Sequence, residues 1–141
     1  MKIMRILITG SRYYRDRISL SAALAEAAGD CPDVTVIHGN ARGADRTADS
    51  EARSYGFHVE PHDADWAAPC RETCRPGHRV TLPSGREYCP AAGNYRNQDM
   101  VEAGADICLA FYEPGKPSRG TTDCVKRCAR AGIKVRAYGK E

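Results

Sequence analysis

Long apolar runs are absent from this chain of 141 residues. No stretch approaches the ~20 apolar residues that a membrane helix needs, and the apolar run in the N-terminal segment MKIMRILITG is too short for a signal peptide. Hydrophobic residues make up 42% and charged residues 28% of the chain, a balance typical of a globular domain rather than a disordered one. We therefore expect a cytoplasmic protein without a membrane partner, in which the seven cysteines are thiols or metal ligands rather than a disulfide framework.

Three common ligand-binding motifs are also missing. The chain has no Gly-x-Gly-x-x-Gly after its first predicted strand and no Gly-x4-Gly-Lys-Ser/Thr anywhere, which excludes a standard dinucleotide fingerprint and a P-loop ATPase. A Gly-x-Ser-x-Gly elbow is absent as well, which argues against an α/β-hydrolase.

Short apolar or β-branched runs alternate with stretches of helical periodicity. The predicted strands cover residues 3–8, 34–37, 57–60, 106–111 and 133–137, and the predicted helices cover 16–29, 44–55, 94–103 and 121–131. Such alternation is typical of βαβ units, so we expect an α/β fold with a doubly wound parallel sheet of about five strands in the order 3-2-1-4-5. We expect one domain over residues 1–141, with an insertion at 66–92 inside a stretch that shows no helical or strand period.

Three loops of this predicted fold have the composition that a phosphate group requires. Ligands of doubly wound sheets bind outside the carboxyl ends of the strands, where the loops at 9–12, 39–45 and 113–122 meet. Each loop carries a glycine, which lets the backbone approach an anion, and an arginine, which offers a planar fork for phosphate. The pattern predicts a phosphate-binding pocket. The alternative is that these arginines only cover the sheet end and pair with one of three carboxylates, Asp45, Asp65 or Asp123.

The positive charge of the chain is concentrated in one segment. Residues 70–96 contain five arginines and two glutamates, a net charge of +3 that equals the formal net charge of the whole chain. Such a segment is compatible with binding of single-stranded nucleic acid through Arg71, Arg75 and Arg79, with Tyr88 as the one aromatic residue of the insertion available for stacking. The alternative is a solvated loop.

The same segment contains the spacing Cys70-x3-Cys74-x3-His78-x10-Cys89. Three cysteines and one histidine form a common tetrahedral zinc site, and an insertion without hydrophobic periodicity needs such an organiser. Four protein ligands close the coordination sphere, so we predict a structural rather than a catalytic zinc ion. The alternative is four unligated side chains in a flexible loop.

Several motifs together resemble a known family. They are ILITGSR at 6–12, HGNARGAD at 38–45, DADW at 63–66, RNQDMV at 96–101, DICLAF at 106–111 and SRGTTDCV at 118–125. In this order they are similar to the YspA-like branch of the SLOG superfamily, which is named for its SMF/DprA and LOG members. The resemblance implies a Rossmann-like fold, a nucleotide pocket at the strand ends and frequent homo-oligomers. It implies that the pocket is lined by Gly10, Ser11, Arg12, Gly39, Arg42, Gly43, Asp45, Arg96, Asn97, Ser118, Arg119, Gly120 and Thr121.

One departure from the family bears on activity. The LOG enzymes, which release the base from nucleoside monophosphates, carry Pro-Gly-Gly-x-Gly-Thr-x-x-Glu, and this chain has Cys124 in place of the glutamate. We therefore assign no catalytic residue and expect a protein that binds a nucleotide derivative of the ADP-ribose or NAD class, as a sensor or by sequestering it. The alternatives are a LOG-like phosphoribohydrolase that uses Asp123 or Asp65, and a DprA-like single-stranded DNA-binding module.

Two aromatic residues flank the insertion, and the sequence leaves their role open. Trp66 and Tyr95 could stack on a base, or they could anchor the insertion to the core.

Overall fold

The computed structural model describes residues 3–72 and 74–139. Its strands are β1 (Ile3–Gly10), β2 (Asp33–His38), β3 (His58–Pro61), β4 (Val80–Thr81), β5 (Glu87–Tyr88), β6 (Ile107–Phe111) and β7 (Lys134–Tyr138). Its helices are α1 (Arg17–Ala28), α2 (Ala44–Ser54), α3 (Ala92–Ala103) and α4 (Arg119–Arg130). In these described ranges, no helix has the length and apolar character needed to cross a membrane.

Five of the strands form one parallel sheet in the order β3-β2-β1-β6-β7. When the two short strands outside this sheet are left out of the numbering, the order is 3-2-1-4-5, so the predicted fold class and strand order are confirmed. The central strand β1 pairs with β2 on one side and with β6 on the other, for example through Ile6 with Val36 and with Ile107. The strand order therefore reverses at β1, and the loops after β1, β2 and β6 lie at one edge of the sheet.

The sheet is covered on both faces, as its apolar strands require. Ile6 and Ile8 of β1 belong to a cluster of buried residues shared with α1 and α2, whereas Leu7 belongs to the opposite cluster with residues of α3 and α4. This alternation follows from the two-residue period of a strand, which directs successive side chains to opposite faces. The most deeply buried strand is β6, in which all five residues are buried.

The segment between β3 and α3 differs from the prediction in two details. Strands β4 and β5 pair as a small antiparallel hairpin, although no strand period is visible there, because two residues per strand are too few to show one. Helix α3 begins at Ala92, two residues before the predicted start at Asn94. That residues 1–141 form one domain with an insertion at 66–92 stays a prediction.

Candidate ligand-binding cleft and metal centre

A cleft of about 610 Å³ lies at the edge of the sheet where the loops after β1, β2 and β6 meet. This volume falls within the range of small-molecule sites. Of the thirteen residues predicted to bind ligand, eleven line the cleft: Gly10, Ser11, Arg12, Arg42, Asp45, Arg96, Asn97, Ser118, Arg119, Gly120 and Thr121. The two that do not line it, Gly39 and Gly43, lie in the loop after β2, where other groups pack closely against them.

Gly10 and Gly43 hold the loops after β1 and β2 against each other. A Cβ atom at Gly10 would lie 2.5 Å from the Cβ of Ala44 and 2.8 Å from the carbonyl oxygen of Phe111. A Cβ atom at Gly43 would collide with the carbonyl oxygen of Ser11, and Gly43 has a φ of 75°, which disfavours any other residue. The amide of Ala44 donates to that same Ser11 carbonyl at 3.2 Å. The first turn of α2 is thereby fixed beside the end of β1.

Among the described residues, four arginines line the cleft, and Arg96 is the one whose guanidinium is held by hydrogen bonds. Its Nη1 donates to the carbonyl oxygen of Gly39 at 2.6 Å and its Nε donates to Asn97 Oδ1 at 3.0 Å. Gly39 is therefore needed for close approach, since a Cβ atom there would lie 2.6 Å from the guanidinium of Arg96.

The other three cleft arginines, Arg12, Arg42 and Arg119, are exposed. Within residues 3–72 and 74–139, no ion pair joins any of the four to Asp45, Asp65 or Asp123. The alternative that these arginines only pair with those carboxylates is therefore not what the structure shows. The cleft keeps its positive charge available for an anion.

In the part of the chain that the structure describes, Asp45 is the one carboxylate that lines the cleft. It is buried, and its Oδ2 accepts hydrogen bonds from the amides of Gly39 at 3.1 Å and Ala41 at 3.3 Å, while its Oδ1 has no hydrogen-bond partner among the described residues. Burial raises the pKa of Asp45 to about 6, although those amides and the nearby His38 and Arg96 act in the opposite direction. This carboxyl group therefore titrates close to the physiological range, remaining mostly ionised at pH 7 and becoming mostly protonated below about pH 6.

His38, the last residue of β2, holds the following loop through hydrogen bonds of its side chain. The residue is fully buried, its Nδ1 accepts from the amide of Asn40 at 2.9 Å, and its Nε2 lies 2.6 Å from Asp49 Oδ2. Because Nδ1 accepts, Nε2 carries the proton and donates to the carboxylate of Asp49. Asn40 itself has a φ of 55°, a conformation that asparagine tolerates better than most residues. The histidine thus caps the strand end, which is one of the roles that its position suggests.

Contacts between α3 and α4 complete the floor of the cleft. The side-chain Nδ2 of Asn97 donates to the carbonyl oxygen of Gly120 at 3.1 Å and to Asp123 Oδ2 at 3.1 Å. Ser118 and Thr121 hydrogen-bond to each other through their hydroxyl groups. Helix α4 begins at Arg119 rather than at the predicted Thr121, so Arg119 and Gly120 occupy its first turn, where free backbone amides favour an anion.

Sequence reasoning did not assign several residues that line the cleft. They are Thr9, Ala41, Trp66, Pro90, Gly93, Asn94, Met100 and Pro117. Trp66, Pro90, Gly93 and Asn94 come from the insertion or its junction with α3, which the strand-end rule does not bring to the sheet edge. For Trp66, the sequence left two roles open, stacking on a base and anchoring of the insertion. Tyr95, its companion, anchors the insertion: its hydroxyl lies 2.7 Å from Cys74 Sγ.

The insertion brings the four predicted metal ligands together. The ligand atoms of Cys70, Cys74, His78 and Cys89 all lie within 4.8 Å of one another. Cys89 is buried and the other three are half-buried. These residues form a cluster that could hold a metal ion.

The spacing inside the cluster fits a tetrahedral ion with soft ligands. Cys74 Sγ and Cys89 Sγ lie 3.8 Å apart, which is the edge of about 3.8 Å expected when both sulfurs bind zinc at about 2.3 Å. His78 Nε2 lies 3.1 Å from Cys89 Sγ, against about 3.6 Å expected for zinc, so these two atoms would separate slightly on binding. The hydroxyl of Tyr95 lowers the pKa of the Cys74 thiol, which favours the thiolate that a metal requires.

Comparison with known proteins agrees with this architecture. The family model described as the YspA, cpYpsA-related SLOG family matches residues 4–68. The "Gene 61 protein" of Mycobacterium phage D29 is 40% identical over 141 residues, which covers 96% of this chain and 96% of that protein. The chain belongs to the YspA-related SLOG family. Its match to the family model covers β1 to β3 and the start of the insertion, and so includes the two loops that carry Gly10 and Gly43.

A solved structure shows that the fold of this SLOG protein extends beyond the family match. DNA processing protein A (DprA) from Streptococcus pneumoniae superposes with a TM-score of 0.66 over 99% of this chain, at 14% sequence identity. The chain spans about half of that protein, 51% of its length. At this identity the likeness establishes the fold.

The resemblance places Cys124 at the position of the LOG glutamate, and the structure shows the surroundings of this cysteine and of its neighbour. Cys124 is fully buried in the apolar cluster between the sheet and helices α3 and α4, which also contains Leu7 and Met100. The neighbouring Asp123 accepts from Arg127 Nε at 2.8 Å as well as from Asn97, and it is not among the residues that line the cleft. Cys124 is thus buried outside the cleft lining, and the carboxylate of Asp123 is held by Asn97 and Arg127.

Proposed function

We propose that this protein binds a nucleotide or nucleotide derivative of the ADP-ribose or NAD class in the cleft, and that it acts as a sensor or by sequestering that molecule. The observation that carries the proposal is the convergence of three arginine-bearing loops on one cleft at the reversal point of the sheet. The SLOG membership supports the same place, as do the eleven cleft residues among the thirteen implied by the resemblance.

The chemistry of the cleft supports a ligand with a phosphate group. The cleft lining contains one carboxyl group, that of the buried Asp45, and four arginines: Arg12, Arg42, Arg96 and Arg119. The net charge of the cleft is therefore positive at neutral pH. The first turns of α2 and α4 add backbone amides at the same edge. A volume of about 610 Å³ has room for more than a phosphate ion.

The direct test is calorimetric titration of the purified protein with ADP-ribose, NAD and AMP. We expect saturable binding of at least one of them, and a loss of about a hundredfold to ten-thousandfold in affinity for Arg12→Gln combined with Arg119→Gln, because each of the two charge-assisted contacts contributes about 1.5–3 kcal/mol. Arg130→Gln, on the exposed end of α4, is the matched control and should bind as the wild type does. Absence of binding for all three ligands would overturn the proposal.

The hydrolase alternative has less support. Asp123 is engaged by Asn97 and Arg127, and Asp65 is exposed and accepts from the amide of Ala68 at 3.1 Å. Incubation with AMP and detection of free adenine tests it, with Asp123→Ala as the variant. Release of adenine that this variant abolishes would replace binding by hydrolysis as the function.

The nucleic-acid alternative rests on the basic insertion and on the likeness in fold to a protein named for DNA processing. Two of its three arginines make internal contacts: Arg71 pairs with Asp99, and Arg79 pairs with Glu87 and donates to the carbonyl oxygen of Ala68. Binding to single-stranded DNA should therefore be weak. Tight binding with a steep salt dependence, lost on changing Arg71, Arg75 and Arg79 together, would restore this alternative.

We also propose that Cys70, Cys74, His78 and Cys89 bind one structural zinc ion. The support is the donor set and the spacing of the cluster. Native mass spectrometry of the purified protein should show the added mass of one zinc per chain, lost in Cys74→Ser and kept in Cys31→Ser, which changes a cysteine outside the cluster. A bare chain mass in the wild type, after expression with added zinc, would contradict the assignment.

Self-association is a further part of the proposal. The SLOG resemblance implies homo-oligomers. A light-scattering mass of two or more times the chain mass of 15.4 kDa would support this. A mass equal to that of one chain would contradict it.

A further inference from the structure

Trp66 is the single tryptophan of the chain and the largest aromatic side chain at the cleft. It is 47% exposed, so much of its indole surface is open. The ring rests on the first turn of α3, where a Cβ atom at Gly93 would lie 3.3 Å from Trp66 Cη2. Tyr88 contacts it edge-on, with the ring centroids 6.2 Å apart. The indole therefore forms one wall of a cleft that also contains four arginines.

The backbone at Trp66 and just after it is hydrogen-bonded to residues of the metal cluster or to a neighbour of that cluster. The amide of Cys89 donates to the carbonyl oxygen of Trp66 at 2.9 Å. Two residues further on, the carbonyl oxygen of Ala68 accepts from Arg79 Nη1 at 2.9 Å, and the same nitrogen lies 3.5 Å from Cys70 Sγ. Both sulfur-bearing residues are candidate metal ligands. The position of Trp66 is thus connected to the cluster through two short hydrogen-bonded paths.

Apolar packing offers the segment little alternative support. The hairpin residues Val80 and Leu82 are exposed, and Cys89 is the buried hydrophobic residue of the stretch from 62 to 91 among those described. Segments with few buried apolar contacts open at low cost unless another interaction holds them. Binding of one metal ion by the four side chains is such an interaction.

We propose that Trp66 is the base-stacking wall of the cleft and that a metal ion in the Cys70, Cys74, His78 and Cys89 cluster holds it there. The inference rests on the proposed nucleotide-binding function and extends it: the affinity for a ligand that carries a planar base depends on the metal, whereas the affinity for a ligand with phosphate and sugar alone does not. Stacking of a base on an aromatic side chain strengthens binding by about tenfold to a hundredfold.

The experiment uses one ligand that carries a planar base, ADP-ribose, and one that carries only sugar and phosphate, ribose 5-phosphate. Zinc-loaded wild-type protein is titrated with ADP-ribose and with ribose 5-phosphate, by calorimetry and by tryptophan fluorescence, which reports on Trp66 alone. We expect ADP-ribose to quench the fluorescence and ribose 5-phosphate to leave it unchanged. Trp66→Ala should weaken ADP-ribose binding about tenfold to a hundredfold without changing the affinity for ribose 5-phosphate, and Trp66→Phe should recover part of the loss.

The metal arm repeats these titrations after removal of zinc by a chelator and with Cys74→Ser. We expect the same selective loss for ADP-ribose, together with a red shift of the Trp66 emission as the ring becomes more hydrated. Zinc-loaded Cys31→Ser, titrated without the chelator, should keep both properties. Far-ultraviolet circular dichroism and the urea midpoint show that the sheet is still folded, so that loss of the wall is separated from loss of the protein.

The outcomes distinguish this inference from the proposal beneath it. If Trp66→Ala binds ADP-ribose as tightly as the wild type does, the stacking role is overturned while nucleotide binding stands. If the metal-free protein keeps both its ADP-ribose affinity and its emission, the coupling to the metal is overturned. If the wild type binds neither ligand, the nucleotide-binding function fails and the inference fails with it.

Discussion

The parallel sheet and the insertion of this protein are held together by different forces. In the sheet, Ile6, Leu7 and Ile8 are 0% exposed and are covered by helices on both faces. In the insertion, Leu82 is 43% exposed and the contacts are thiols, an imidazole and charged side chains. The first region is stabilised by removing apolar surface from water, and the second by the geometry of a few polar groups. The two regions should therefore respond to different perturbations.

The largest difference should appear on truncation of an apolar side chain. Phe111 is fully buried at the end of β6, where its ring stacks on Tyr138 with centroids 5.0 Å apart and tilts against Tyr14 at 5.3 Å. We expect Phe111→Ala to lower the free energy of unfolding by about 3–5 kcal/mol, since a buried phenyl group is lost and a cavity remains. Urea unfolding monitored by circular dichroism measures this change.

The control for this prediction is the same kind of truncation in the insertion. Leu82 is an exposed leucine beside β4, so Leu82→Ala should change the free energy of unfolding by no more than about 0.5 kcal/mol. If Leu82→Ala were as costly as Phe111→Ala, the insertion would have an apolar core of its own and the contrast drawn above would not hold.

A similar contrast explains how much of the molecule the sequence predicts. The strands of the sheet are visible because each has enough residues to show an apolar run, and the order 3-2-1-4-5 follows from their alternation with helices. The cleft follows in turn, because the strand-end rule brings three loops to one edge. The metal cluster is visible for another reason: a set of soft ligands has a recognisable spacing even without secondary structure.

The rest depends on tertiary contacts that no local pattern encodes. Arg96 lines the cleft because the carbonyl oxygen of Gly39, 57 residues earlier, accepts from its guanidinium. Trp66 reaches the cleft because Gly93 leaves room for its ring. The missing partner of Asp45 Oδ1 is a property of the folded loop and not of the sequence around it. Sequence patterns therefore predict the place of the site better than the orientation of its side chains.

The junction of the loops after β1 and β2 gives the next largest predicted effect. Gly43→Ala combines a disfavoured positive φ with a collision against the carbonyl oxygen of Ser11, so we expect a loss of about 2–4 kcal/mol in the free energy of unfolding. Gly56→Ala is the matched control: its φ is 78°, but no atom lies within 4 Å of the added Cβ. It should cost about 1 kcal/mol. Equal losses of unfolding free energy for the two variants would show that the loops rearrange to accommodate the added Cβ atom. The sheet edge would then be as adaptable as the insertion.

Asp45 offers a test of the sheet edge by pH. Its pKa of about 6 lies above the ordinary value of 3.8, so between these values the folded protein holds a proton that the unfolded chain has released, and stability falls as the pH rises through this window. A difference of about two pKa units corresponds to about 3 kcal/mol. Asp45→Asn lacks this titration. Its stability relative to the wild type should therefore improve by up to about 3 kcal/mol between about pH 4 and pH 8.

Urea unfolding of both proteins across that pH range measures the effect. The comparison between the two proteins cancels the titration of groups that they share, provided that His38 and Arg96 keep their positions. A difference in stability that stays constant with pH would mean that Asp45 is ionised in the folded protein at a normal pKa, and that the sheet edge is better hydrated than its burial indicates.

The smallest predicted effect lies where the insertion meets α3. Arg71 donates to both carboxylate oxygens of Asp99, at 3.2 and 2.9 Å, and its guanidinium lies 4.5 Å from the centroid of the Tyr95 ring. Both charged side chains are about half exposed, 51% and 45%, so water and salt screen their attraction. We expect Arg71→Gln to lower the urea midpoint less than any substitution above, and high salt to remove most of the difference from the wild type. Arg75→Gln, a nearby exposed arginine outside this pair, controls for the change in net charge. A large loss that salt does not reduce would show that the arginine stem packs on Tyr95 as part of an apolar contact, and that the junction is stabilised like the sheet rather than like the insertion.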